Sequence, residues 1–111
     1  MSVKEIELSR IEKGDIDVLK QAIQSYYEGL LTQENQSEEI KMHQSILQNL
    51  FSKFFDASNK TYKQVKFSFK LMWHEATLIN KALGHYNKSI ADDYKKNVAL
   101  GLILVLDPQT V

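Results

Sequence analysis

Apolar residues recur three and four positions apart along three stretches of the chain. Residues at these spacings share one face of an α-helix, so each stretch predicts a helix with one buried side. The first covers residues 16–30 and the second covers residues 40–57. The third and longest comprises Tyr62, Val65, Phe69, Met72, Ala76, Ile79, Leu83, Tyr86 and Ile90. The pattern predicts an all-α fold, a compact bundle of about four antiparallel helices in a single domain spanning residues 1–111.

Capping residues and glycines set the expected helix bounds. Asp15 suits the N-cap of a first helix that ends near Leu31, and Ser37 suits the N-cap of a second that ends near Asp56. In the third stretch, a mid-helix Gly84 costs about 1 kcal/mol relative to alanine. We therefore expect a break at residues 84–88 and a last helix over residues 90–106, the alternative being one helix that continues through Gly84. No internal repeat is visible beyond these helical patterns.

Two segments are ambiguous between helix and strand. In residues 3–11, Ile6 and Leu8 alternate with polar residues as on a short strand, whereas Val3, Ile6 and Ile11 also suit a helical turn. Residues 98–106 have no polar face, which predicts a helix buried on all sides in the middle of the bundle. The alternative is a buried strand that pairs with residues 5–9.

Composition narrows the class of protein. The chain has 111 residues, no cysteine and a formal net charge of zero, with 14 basic and 14 acidic side chains. Its longest apolar run is far shorter than the roughly 20 residues that a membrane-spanning helix needs, and its N-terminus lacks an apolar signal segment. We therefore expect a cytoplasmic protein with no membrane partner. Residues 1–40 are acidic and residues 41–70 are basic, which favours docking of these regions on each other or a basic face for an acidic partner.

Catalytic and metal-binding patterns are not found in the sequence. His74-Glu75 begins like the zinc-protease helix motif, but Leu78 stands where the second histidine is required. His74 and His85 would lie about 16 Å apart along one helix, too far for a single ion. His43 suits a hydrogen-bonded boundary position better than a metal site. The sequence therefore predicts a protein that is not an enzyme and that uses neither metal nor cofactor.

One apolar patch is the main functional prediction. On a continuous helix, Phe67, Leu71 and Leu78 would lie opposite the buried face, where about 1.5–3 kcal/mol each is gained by removal from water. Neighbouring basic residues would surround it and select an acidic partner: Lys63, Lys66, Lys70 and His74. This patch predicts a protein–protein interaction module, such as an adaptor, inhibitor or regulatory protein, that binds a protein partner or forms a homodimer. The alternative is that the N-terminal segment or the last helix covers the patch.

Two other functions remain open at this point. The basic stretch could bind nucleic acid through Lys53, Lys60, Lys63, Lys66 and Lys70, with an affinity that falls as salt rises. A small ligand could instead bind inside the bundle near Trp73, His74 and Tyr86.

Overall fold

The computed structural model describes residues 5–60 and 66–110, most of which are helical. The elements in chain order are β1 (Glu5–Glu12), α1 (Lys13–Leu31), α2 (Glu38–Lys60), β2 (Lys66–Met72), α3 (Trp73–Ser89) and α4 (Asp93–Thr110). The expected four helices are present. The predicted, mainly helical bundle is confirmed in outline, but the fold is not purely helical, because β1 and β2 form a two-stranded antiparallel sheet.

The sheet presents one apolar face to the helices. Ile6 pairs with Leu71 and Leu8 with Phe69, and all four side chains are buried. The intervening Glu7 and its partner Lys70 are exposed, as the period-two geometry of a strand requires. The pairing shifts after Leu8. The strand interpretation is therefore confirmed for residues 5–11, and residues 3 and 4 lie outside the described residues.

The segment that pairs with β1 is not the one expected. Residues 66–72 form β2, so the long helical pattern through Phe69 and Met72 is wrong there. Residues 98–106 lie within α4 and form no strand. This helix does not pass through the middle of the molecule either, since Leu100, Leu104 and Val105 are exposed.

The helix bounds follow local capping. The Ile40 N–H donates to the Ser37 Oγ at 3.2 Å, so Ser37 caps α2 as expected. The predicted break at Gly84 is wrong, because α3 continues to Ser89. The break falls at residues 90–92, and the Lys95 N–H donates to the Asp92 Oδ1 at 3.0 Å at the start of α4.

Each strand runs directly into a helix through the same capping arrangement. At the first junction the Glu12 N–H donates to the Asp15 Oδ2 at 2.9 Å. At the second, the Met72 N–H donates to the Glu75 Oε1 at 2.8 Å. In both cases a carboxylate in the first helical turn accepts from the N-cap backbone, as in a capping box, so Asp15 stabilises α1 without being its N-cap.

The chain is built from two copies of one strand–helix–helix unit. Repeat 1 comprises β1, α1 and α2, and repeat 2 comprises β2, α3 and α4. We align the two repeats by their burial patterns. Each residue of α2 is then equivalent to the residue of α4 that lies 52 positions later, and residues 43–57 match residues 95–109 position by position in being buried, half-buried or exposed. Each residue of α1 is equivalent to the residue of α3 that lies 60 positions later. The buried pairs of the first helices are Ile16 and Ala76, Val18 and Leu78, Leu19 and Ile79, Ala22 and Ala82, and Ile23 and Leu83.

The second helix of each repeat reaches the strand of the other. The Lys53 Nζ in α2 donates to the Lys70 carbonyl of β2 at 3.0 Å. The Gln109 Nε2 in α4 donates to the Glu7 carbonyl of β1 at 3.3 Å. Both outer strand edges therefore receive a side-chain partner, and the two repeats share one hydrophobic core.

Candidate functional site

The three apolar residues predicted to form a surface patch are buried. Phe67 is 6% exposed, Leu71 is 1% exposed and Leu78 is 3% exposed. Phe67 and Leu71 lie on the face of β2 that packs against the helices, and β1 lies beside them. The prediction of an exposed patch at these positions is therefore wrong. The alternative, in which the N-terminal segment covers the patch, accounts for the burial of Phe67 and Leu71.

The basic residues expected around that patch lie in different places. Lys63 lies outside the described residues, as does the side chain of Lys66. Lys70 is exposed on the solvent face of the sheet, and its carbonyl accepts from Lys53. His74 is exposed in the first turn of α3.

His74 contributes to a different surface feature, which we name the Trp73 cleft. The cleft lies between α2 and the start of α3 and encloses about 500 Å³. Its lining residues are Glu39, Met42, His43, Ile46, Trp73, His74, Thr77, Leu78 and Lys81. Two of the predicted site residues, His74 and Leu78, are therefore brought together here.

Two large apolar side chains at the cleft are exposed to solvent. Trp73 is the single tryptophan of the chain and is 44% exposed, and Met42 is 56% exposed. The strand-to-helix turn places Trp73 and His74 at the surface, and the Glu75 carboxylate holds that turn. The sequence patterns missed Met42, because it lies off the buried face of α2. The sequence carries no signal for its place in the cleft, which depends on how α2 packs beside α3.

Hydrogen-bond donors outnumber carboxylates among the described residues that line the cleft. His43, His74 and Lys81 line it together with Glu39, the carboxylate in this part of the structure. The His43 Nε2 lies 3.9 Å from the Glu39 Oε1. The Thr77 Oγ1 donates to the Trp73 carbonyl at 2.8 Å, which directs this hydroxyl to its own helix.

Tyr86 does not contribute to this cleft. Its hydroxyl donates to the Gln21 Oε1 at 2.6 Å and joins α3 to α1. Burial raises the pKa of Tyr86 above its ordinary value, and the nearby Asp92 carboxylate adds to this rise. The predicted ligand pocket of Trp73, His74 and Tyr86 is therefore not formed by these three residues together.

The counterpart of the Trp73 cleft in the other repeat is the junction between α4 and the start of α1, and its surface carries different residues. There the Tyr94 hydroxyl lies 2.9 Å from the position that a Cβ on Gly14 would occupy. Tyr94 is the equivalent of Met42, and Gly14 is the equivalent of His74. Lys13 stands at the position equivalent to Trp73. The tyrosine thus lies across the turn on this side, whereas the Trp73 cleft is open.

A second groove of about 500 Å³ lies between α1 and α2. Most of its lining is polar, and Phe51 and Phe55 form its apolar part. The Lys20 Nζ lies 5.5 Å above the Phe55 ring and donates to the Ser58 Oγ at 3.1 Å. Because these side chains satisfy one another, this groove is the weaker candidate.

The described residues contain no group of three or more histidine and acidic side chains placed to hold a metal ion. Among the helices in that part of the chain, none is long and apolar enough to cross a membrane. In comparisons with known protein families, curated proteins and solved structures, the chain matches none of them.

Proposed function

We propose that the protein is an interaction module that binds a segment of another protein in the Trp73 cleft. The observation that carries this proposal is that Trp73 and Met42, two large exposed apolar side chains, line one cavity. Aromatic residues and methionine are enriched at the centres of protein interfaces, where aromatic rings supply large apolar area and methionine adapts to the shape of the partner.

The cleft has the size and chemistry for an apolar anchor residue. The buried Leu78 and the partly buried Ile46 both line it. Burial of one leucine or phenylalanine side chain there would contribute about 1.5–3 kcal/mol. This matches the way in which a few anchor residues dominate a protein interface.

The hydrogen-bond donors around the cleft favour acidic residues beside that anchor. Lys81 and the imidazoles of His43 and His74 can donate to a carboxylate, whereas the charges of Lys81 and Glu39 balance each other. Such polar groups at the rim affect partner selection and the association rate more than the final affinity. The proposed partner segment is therefore apolar at its centre and acidic at its flanks.

The test is a titration with three sets of short synthetic peptides. Each set carries one leucine or phenylalanine anchor, with flanks of glutamate, serine or lysine. Binding is followed by the fluorescence of Trp73, which reports from within the cleft because the chain has no other tryptophan. We expect the glutamate-flanked set to bind at least tenfold more tightly than the lysine-flanked set, a difference of about 1.4 kcal/mol.

The repeat supplies a matched control for this titration. Met42→Glu places a charge at the cleft, and Tyr94→Glu places the same charge at the equivalent position of repeat 2. Both residues are exposed, so both variants should retain the helical circular dichroism of the wild type. Loss of peptide binding in Met42→Glu alone supports the proposal. Equal loss in both variants, or fluorescence that no peptide changes, contradicts it.

A small apolar molecule is the second candidate occupant, because a cavity of about 500 Å³ lies within the usual range for ligand pockets. A screen of aromatic compounds by the same fluorescence would distinguish the two. Tight binding of a compound that acidic peptides do not displace would favour this second function. Nucleic-acid binding remains a prediction, and Lys53 of the basic stretch already donates to the backbone of β2.

A further inference from the structure

The two walls of the Trp73 cleft share one helical spacing. On α2 the lining residues are Glu39, Met42, His43 and Ile46. On α3, beginning one residue after Trp73, they are His74, Thr77, Leu78 and Lys81. In both sets the later members lie three, four and seven positions after the first, so each set occupies one face of its helix over two turns. The cleft is therefore a groove bordered by two helical faces of equal length.

Backbone chemistry determines what kind of segment such a groove accepts. The described residues that line it all belong to α2 or α3, and none of them belongs to a strand. Within a helix the N–H and C=O groups bond to each other, so these walls offer side chains and few backbone partners. The Thr77 hydroxyl also donates within its own helix, to the Trp73 carbonyl. An extended segment would lose water from its backbone groups here without gaining partners, whereas a helix satisfies these groups internally.

The strand edges, where an extended segment could find backbone partners, lie outside this groove. On β2 the Lys70 carbonyl accepts from the Lys53 Nζ. On β1 the Glu7 carbonyl accepts from the Gln109 Nε2, and the Glu7 N–H donates to the Gln109 Oε1 at 3.4 Å. Neither Lys70 nor Glu7 lines the cleft. A segment held in the cleft is therefore better served by helical than by extended backbone.

An amphipathic helix fits the groove in length and in chemistry. Each wall covers seven residue steps, or about 10.5 Å along its helix, and apolar residues at helical spacing over two turns of a partner cover the same length. Met42, Ile46 and Leu78 supply apolar contacts. Lys81 and the two histidines can donate to carboxylates beside the partner's apolar face.

We infer that the occupant of the Trp73 cleft is an amphipathic α-helix of a partner protein, with acidic residues beside its apolar face. This inference rests on the proposed function, because it specifies the conformation of the segment that the cleft binds. Apolar residues from two turns of that helix contact both walls. The affinity of the partner therefore depends on the helical spacing of its apolar residues as well as on their presence.

The test compares three peptides of about 15 residues, built from leucine, glutamate and alanine. In the first, three leucines lie four and then three positions apart, on one face of a helix. The second has the same composition, but its leucines lie two positions apart, on one face of a strand. The third is the first with a central alanine replaced by proline, which interrupts a helix. Binding is followed by the fluorescence of Trp73.

We expect the first peptide to bind at least tenfold more tightly than the second and the third. The circular dichroism of its complex should show more helix than the sum of the separate components, because so short a peptide is only partly helical when free. Replacing its first or third leucine by alanine should weaken binding at least tenfold, since both turns contact the groove. Met42→Glu should abolish binding, whereas Tyr94→Glu at the equivalent position of repeat 2 should leave it unchanged.

Two results would overturn the helical occupant while the proposed function stands. One is binding of the second or third peptide as tightly as the first, with loss of binding in Met42→Glu. The other is a complex of the first peptide that shows no gain of helix. Absence of binding by every peptide, including the single-anchor sets described above, would instead contradict the proposed function, and this inference with it.

Discussion

The exposed face of α2 carries Gln48, Ser52 and Lys53, whereas the equivalent face of α4 carries Leu100, Leu104 and Val105. The buried positions of the same helices agree, with Leu47, Leu50 and Phe54 in α2 and Ala99, Leu102 and Leu106 in α4. A feature that both repeats share is explained by the packing of the unit. A feature that only one repeat has requires another explanation, and the exposed Leu100, Leu104 and Val105 of α4 are such a feature.

The two junctions between the repeats, α2 with α3 and α4 with α1, also differ in residues that the fold does not require. On one side Trp73 and Met42 are exposed at an open cavity, and on the other Lys13 and Tyr94 stand at the equivalent positions. The shared capping arrangement forms both turns, so it does not explain a tryptophan on one side alone. Residues common to both sides hold the fold, whereas Trp73 and Met42 are the residues on which the proposed binding function depends.

The largest expected effect tests whether the repeats contribute equally to the core. Leu50→Ala and Leu102→Ala remove the same side chain at equivalent buried positions, Leu50 being 1% and Leu102 5% exposed. Each should lower the free energy of unfolding by about 2–5 kcal/mol through lost burial and a residual cavity. Urea unfolding of both variants gives the two values. Since the repeats share one core, each variant should unfold in a single transition.

Unfolding in two steps would contradict this expectation. It would show that repeat 1 and repeat 2 are separate cooperative units despite the sheet that joins them. The exposed pair Ser52→Ala and Leu104→Ala provides the control. Neither of these changes should alter stability by more than about 0.5 kcal/mol.

The first two helices could be predicted from the sequence, and β2 could not. Spacings of three and four in residues 16–30 and 40–57 reflect helices with one buried face. Phe69 and Met72 show the same spacings by coincidence. The helical pattern of α3 therefore seemed to continue towards the N-terminus through residues that form β2. The alternation of Phe67, Phe69 and Leu71 with Ser68 and Lys70 was the correct signal. It spans only a few residues, and period alone does not decide between helix and strand over so short a run.

The Trp73 cleft could be predicted only in part. His74 and Leu78 were candidates because an assumed helical phase placed them together, although Leu78 is buried and lines the cleft instead of forming an exposed patch. Met42 comes from α2, and its place in a cleft with Trp73 depends on how the two repeats pack. No spacing along the chain encodes that arrangement. The repeat was not detected from the sequence, because equivalent residues such as Ile16 and Ala76 are both buried but differ in residue type.

The second prediction concerns the two strand-to-helix junctions. Asp15→Ala and Glu75→Ala each remove a carboxylate that accepts from a backbone N–H, at 2.9 Å and 2.8 Å respectively. Each should cost about 0.5–2 kcal/mol, as the loss of a helix cap does. Similar costs in urea unfolding would support equivalent junctions. A much smaller cost for one of them would show that its turn is held mainly by packing.

The third prediction compares equivalent tyrosines. Tyr86→Phe removes the hydrogen bond to Gln21 and should cost about 0.5–1.5 kcal/mol. At the equivalent position, the Tyr26 ring packs edge-on against His85 at 6.1 Å between centroids. Tyr26→Phe retains this ring contact, so it should cost less. Thermal unfolding at neutral pH would give both values, and the reverse order would contradict the assigned contacts.

The pKa of Tyr86 adds a pH dependence to this pair. Folding raises it above the ordinary value of 10.0, so the folded protein keeps this proton at a pH where the unfolded chain loses it. The corresponding stabilisation is present below pH 10 and is lost as the pH rises through the raised pKa. The wild type should therefore lose stability above pH 10 more steeply than Tyr86→Phe. If the free energy of unfolding, measured in urea, falls with pH equally in both proteins above pH 10, the raised pKa of Tyr86 is contradicted.

The smallest expected effect tests the contact that distinguishes the two clefts. Gly14 lies in the first turn of α1, where alanine favours the helix by at most about 1 kcal/mol over glycine. Its new Cβ would approach the Tyr94 hydroxyl to 2.9 Å, so the end of this flexible, exposed side chain must move. Gly14→Ala should therefore stabilise the protein by less in the wild type than in a Tyr94→Ala background. The difference, measured as a double-mutant cycle by urea unfolding, is the free energy of displacing Tyr94. An equal gain in both backgrounds would mean that Tyr94 does not lie across the turn, and the contrast with the open Trp73 cleft would lose its structural basis.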